Sequence, residues 1–265
     1  MERPPTFDEQ KYGFIPPVKV PEDYTFGAAN ELGGIPLVPD GQWDSFLPVD
    51  EVQNLNEIEP YACVSFTINN CAEILQKQEF EQVENYSDKF LAAASGTGTR
   101  LGNDPKTVGQ TFRDNGCPKE YEYPFDSTVT TFDKFYTVIP QAIYRLALLF
   151  KDRFDFGYEW VGADQQSMMA ALPYSPLGVA VHAWTMDADG FYIRPKGAIS
   201  THFTVIYGYK RNEYWKCFDS YSNTHKKLRW DFGFEFAQRY TLHARASNPD
   251  MWTWFLAKLK AILGL

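Results

Sequence analysis

Between Cys63 and Gln78 the apolar positions Phe66, Cys71, Ile74 and Leu75 fall on one face at helical spacing, which predicts an amphipathic helix. Ser87 is placed to cap a shorter helix ending near Ala94. Asp104-Pro105 reads as a cap followed by a first-turn proline, and Gly116 after Asn115 as the stop. Pro140 opens a strongly apolar helix through Phe150, and Asp164 caps another through Leu172. After Pro176 the period changes. Segments 177–184, 191–194, 203–209, 214–218 and 227–230 are rich in β-branched and aromatic residues, with turns such as Asp189-Gly190 and Arg211-Asn212 between them. Helices first and strands afterwards predict an α+β fold.

The two ends have a different texture. The first 50 residues are rich in Pro, Gly and Asp, punctuated by Pro36, Pro39, Gly41 and Pro48. Residues 1–40 are read as an extended arm lying over the body. The body is placed at 41–249, with its helices mainly in 55–150 and its strands mainly in 151–249. In 250–265, Trp252, Phe255, Leu256, Leu259, Ile262 and Leu263 recur at helical spacing, with Lys258 and Lys260 as the basic residues. So short a helix needs cover for its apolar face: the chain's own body, a partner subunit or a membrane surface.

Composition narrows the classes. A chain of 265 residues with 44% hydrophobic and 22% charged residues is an ordinary globular protein able to bury a sizeable core. A net charge of −9 argues against a nucleic-acid-binding surface, which needs clustered Lys and Arg. The N-terminal residues lack a charged-then-apolar secretory pattern, and no run of 18 apolar residues suggests a membrane span. Both point to the cytoplasm. The four cysteines, 63, 71, 117 and 217, form no C-x-x-C pair, so a zinc site is not expected; three read as small buried core residues.

One cysteine has a chemical setting. Cys63 opens the first long helix, where unpaired backbone amides and the helix dipole favour a thiolate. His202 lies at the edge of a strand 139 residues later, and Asp219 ends the next strand 17 residues after that. A thiol nucleophile needs a base within hydrogen-bond reach, and the base needs a group to orient it. Each has a plainer reading: a buried core cysteine, a satisfied strand-edge histidine and a turn aspartate. His182 competes for the role of base but lacks a following strand that ends in a carboxylate.

Taken together, the segments resemble the papain-like cysteine peptidases. Cys63-Val64-Ser65-Phe66-Thr67 resembles the start of that family's central helix. His202 through Gly208-Tyr209 resembles its histidine strand, and Tyr214-Trp215 through Asp219-Ser220-Tyr221 its Tyr-Trp…Asn-Ser-Trp strand. Asn115 through Phe125 resembles its Gly…Asp-Tyr-Pro-Tyr segment, and 43–53 the start of the mature enzyme. The separation of Cys63 from His202 is in the family's range. The texture around Tyr174-Ser175-Pro176-Leu177 is similar to divergent members from bacteria and bacteriophages.

The resemblance implies a two-lobed fold with the site in the cleft between a helical and a strand-rich lobe. It implies a Cys63–His202–Asp219 triad hydrolysing peptide bonds without metal or organic cofactor. The oxyanion would be held by the Cys63 amide and a glutamine. The family's usual position, six residues before the cysteine, is Glu57, so the role passes to Gln53, alternatively a surface residue. Gly102-Asn103 would offer backbone to an extended peptide, alternatively a simple turn. Asp219 stands where the family has Asn, Tyr221 stands in place of a shielding Trp, and the family's large helical pro-segment is missing. Two rival readings remain: a papain-fold cell-wall amidase, and a catalytically weak structural or virion-associated protein that kept the fold.

Overall fold

The computed structural model describes residues 13–27, 35–98, 101–221 and 224–245. The expected helix at 250–265 lies outside the described residues. Six α-helices are described: α1 (Cys63–Phe80), α2 (Asp88–Ala94), α3 (Pro105–Asn115), α4 (Phe132–Phe135), α5 (Gln141–Arg153) and α6 (Gln165–Ala171). The strands are β1 (Phe154–Val161), β2 (Leu177–Val181), β3 (Thr185–Met186), β4 (Tyr192–Ile193), β5 (His202–Lys210), β6 (Tyr214–Phe218), β7 (His225–Arg229) and β8 (Ala237–Ala244). They form one mixed sheet in the order β1-β8-β2-β5-β6-β7-β4-β3. Its pairs are antiparallel except β4 with β7. The α+β expectation holds.

The capping signals act as the sequence suggests. The side chains of Ser87, Asp104 and Asp164 accept from the amides of Phe90, Thr107 and Ser167, and satisfy donors that a helix start leaves open. Gly116 ends α3 at φ 69°, a conformation that suits glycine. The helix α1 departs from the amphipathic pattern. It is buried on nearly all sides, including Asn69, Asn70, Glu73 and Gln76, because helices flank it and β2, β5 and β8 cover it. Thr67 ties it to the sheet by donating to the carbonyl of Phe203 at 3.0 Å.

Three strands fall outside the five expected segments, the shortest being the two-residue β3 just past the first of them. The strand β1 precedes Pro176, although Phe154, Phe156, Tyr158 and Trp160 alternate as a strand should. The strand β8 sits between β1 and β2, so its polar Gln238 and Arg239 are buried. Arg239 is matched by Glu159 directly opposite on β1, with Nε to Oε2 at 2.6 Å. That cross-strand pair lets a polar strand lie inside the sheet.

The described N-terminal residues make long-range contacts. Thr25 bridges Trp160 beside β1, Val38 donates to the carbonyl of Pro173, and buried Trp43 donates its indole N–H to that of Leu172. Among the described residues, all four cysteines are buried and unbridged, and no helix is long and apolar enough to cross a membrane.

Candidate active site

Sheet register brings the first residues together. Val205 faces Phe218 across β5 and β6, so one residue further Asp219 comes opposite Thr204. His202, two residues before Thr204, is then its diagonal neighbour on the same face. His202 Nε2 and Asp219 Oδ1 stand 2.5 Å apart, both side chains without exposed surface. Trp184 meets the imidazole edge-on at 5.6 Å between ring centres, and Tyr221 tilts over it at 5.1 Å. His182 instead bonds the carbonyl of Ile199 and the hydroxyl of Thr185.

Cys63 is the first residue of α1, and α1 packs on β5. The turn delivering it is held by Glu59, whose Oε1 accepts from the amide of Tyr61 at 2.8 Å. Tyr61 takes a left-handed φ of 57° two residues before the thiol. Burial pushes the Cys63 thiol well above its usual range. The backbone amides of Phe203 and Val64 oppose that rise, and the carboxylates of Glu59 and Asp219 add to it. In this covered site the helix start does not by itself produce the low-pKa thiol that the sequence suggests.

Gln53 is fully buried at the same place. Its backbone N–H donates to the carbonyl of Ser220 at 2.7 Å, and its amide reaches Glu59 Oε1 at 3.5 Å. Glu57, at the family's usual position, is exposed. Glu59 also accepts from the Tyr221 hydroxyl at 2.5 Å; burial raises its pKa against that bond and the Tyr61 amide. It therefore links the Cys63 turn, Gln53 and the ring over His202.

Gly102 and Asn103 are occupied by the chain itself. The amide of Asn103 donates to Gly13 at 2.9 Å, and that of Ile15 to Asn103 at 3.0 Å, a parallel bridge centred on Phe14. The Asn103 side chain ties its own loop by donating to the Ser95 carbonyl and Thr97 hydroxyl. The arm also touches both sides of the site. A Cβ on Gly13 would lie 2.2 Å from the Tyr61 carbonyl oxygen, and the Phe14 amide donates to Thr201 at 3.3 Å. Phe14 stacks on Phe203 at 5.7 Å. An open groove of about 820 Å³ continues beside the arm between Leu101 and Ser200-Thr201, walled by Trp160 and Phe236.

Three residues at the site escape the sequence reading: Glu59, Trp184 and Lys226. Lys226 is buried on β7 with Nζ 2.7 Å from Asp219 Oδ2. Its signal lay in the alternation of β7, where Lys226 and Leu228 point inward and His225 and Lys227 outward.

The fold is papain-like. The chain superposes on procathepsin L2 of Tenebrio molitor larval midgut with a TM-score of 0.64, over 87% of this chain and 78% of that one, at 14% identity. Xylellain, a cysteine protease from Xylella fastidiosa, gives 0.61 over 90% and 97% at 15% identity. The bromelain protease from Ananas comosus, in complex with the E64 inhibitor, gives 0.56 over 76% and 98% at 18% identity. No protein-family model and no curated protein sequence matches this chain.

Proposed function

We propose that the protein is a cysteine peptidase acting through Cys63, His202 and Asp219. The observation that carries this reading is the buried 2.5 Å contact between His202 Nε2 and Asp219 Oδ1, at the start of the strand on which α1 packs. It fixes the ring and makes Nδ1 the nitrogen that serves the thiol. Cys63 Sγ attacks the peptide carbonyl while its proton passes to His202. The resulting oxyanion is held by the Cys63 amide and the Gln53 side chain. The C–N bond then breaks as His202 returns the proton to the departing amine, leaving a thioester. Water, deprotonated by His202, attacks the thioester; the acid leaves and the thiol is regenerated.

The extended pairing of Gly13–Ile15 with Asn103 supports a peptide as the substrate class, because that backbone already holds an extended chain. The same observation favours a second reading, a papain-fold protein that kept the cleft without catalysis. Hydrolysis of a fluorogenic peptide library by the wild type and Cys63→Ala separates them. The peptidase reading expects turnover by the wild type and none by Cys63→Ala at unchanged fold. Undiminished turnover in the variant sinks the mechanism.

A further inference from the structure

Asp219 has two side-chain partners rather than one. Its Oδ1 meets His202 Nε2 at 2.5 Å and its Oδ2 meets Lys226 Nζ at 2.7 Å. The β6–β7 register explains why. Lys226 faces Cys217, so Asp219, two residues on, is its diagonal neighbour on the face that carries His202. The Lys226 side chain is 2% exposed, with Nζ 5.1 Å from the centre of Trp184 and 5.8 Å from that of Tyr192. An ammonium so deeply buried is costly unless it is paired.

We propose that Lys226 is a positioning residue that makes Asp219 and itself one neutral unit, so that the carboxylate orients His202 as an uncharged amide would. Two arguments meet here. The first is acceptor count. Two donors converge on residue 219, and a carboxylate offers each an oxygen, whereas an asparagine has one oxygen and would turn its NH2 toward the other donor. The second is charge. An isolated Asp219 would oppose a thiolate at Cys63, and Lys226 cancels that field. Burial works to raise the Asp219 pKa, but His202 and Lys226 outweigh it and hold the carboxyl below its usual range. The aspartate in place of the family's asparagine is thus matched to Lys226.

The inference rests on the peptidase reading, and its test is built to tell the two apart. Site-resolved mass spectrometry follows iodoacetamide alkylation of Cys63 against pH in the full-length wild type, Lys226→Met, Asp219→Asn, the double variant and His202→Ala. Glu59, Tyr221, Tyr136 and Cys217 face the same cluster and stay constant throughout. His225 and Lys227 lie on the outer face of β7. Lys226→Met leaves Asp219 uncompensated and should move the alkylation midpoint up by about one pH unit or more. Asp219→Asn leaves the ammonium uncompensated and should move it down by a similar amount. The double variant should return to within about half a unit of wild type. Shifts of the same sign, or a double variant no nearer wild type than Asp219→Asn, overturn the proposal alone. If Lys226→Met does not fold, the comparison of Asp219→Asn with the double variant decides. Alkylation in His202→Ala indistinguishable from wild type sinks the peptidase reading and the proposal with it.

Discussion

At the scale of single residues, the cluster works by shared acceptors. Glu59 accepts from Tyr61 and Tyr221 and is reached by the Gln53 amide, while Asp219 serves His202 and Lys226. The meeting of His202 with Asp219 was legible because the two strands that carry them are consecutive in the chain and pair as neighbours. Lys226 was not, because His225-Lys226-Lys227 reads as a basic, solvated run until β7 is known to pair with β6. Glu59 was hidden for another reason: the comparison with the family draws attention to position 57, and no local pattern marks residue 59 as part of the cluster. The charge unit changes what a familiar substitution should do. Sequence resemblance alone suggests that Asn at 219 is milder than Ala, whereas pairing with Lys226 makes it costly. Asp219→Ala should lower kcat about 100-fold or more with little change in KM, because the residue orients the base and does not touch substrate. Steady-state kinetics on a cleaved library peptide check this, and a change confined to KM would reassign Asp219 to substrate binding.

At the scale of elements, the arm is the part of the structure that bears most on access. Residues 13–15 pair with Asn103, in the loop proposed to hold substrate, and touch Tyr61 and Thr201, close in sequence to Cys63 and His202. Pro, Gly and Asp content suggests an extended segment over the body, but not which residues it meets. That depends on long-range contacts such as the close approach of Gly13 to Tyr61 and Gly102. Gly13 has a φ of 95°, and a Cβ there meets backbone at 2.2 Å, so no side chain fits without displacing the arm. Gly13→Val should therefore raise the rate of Cys63 alkylation several-fold while thermal stability falls by about 1–3 kcal/mol. Stopped alkylation with intact-mass detection measures the first quantity and thermal melts the second. An unchanged alkylation rate would mean that the arm does not limit access. The two long missed strands, β1 and β8, differ in how legible they were. The alternation of β1 is plain once sought, but β8 is polar at its buried positions because Arg239 is neutralised by Glu159 on the neighbouring strand.

At the scale of the whole molecule, a layer of helices and a mixed sheet are held by one large apolar core running from α1 into the strands. Order of elements made the α+β class legible, and the papain-like arrangement followed from motifs at three separated places. The acidic balance has a consequence for stability. Burial raises the carboxyl groups of Glu51, Glu73 and Asp88, and pushes Glu120 up to about 7. A carboxyl raised on folding stabilises the fold fully below its unfolded value and loses that contribution as pH rises through its folded value. Glu120 alone accounts for up to about 3 kcal/mol lost between about pH 4.5 and 7. The melting temperature should therefore fall between pH 5 and 8, and Glu120→Gln should flatten the fall. A melting temperature that is constant or rises over that range contradicts the assignment.

Covalent capture of the proposed nucleophile decides whether Cys63 and His202 act together. The full-length protein is incubated with an epoxide-type thiol inhibitor, and the adduct is located by peptide mapping. One adduct per chain is expected, on Cys63 and not on Cys71, Cys117 or Cys217, with at least about a 100-fold slower reaction in His202→Ala. A protein that stays unmodified even with Gly13→Val, or a Cys63 adduct that forms equally fast without His202, would contradict the proposed mechanism.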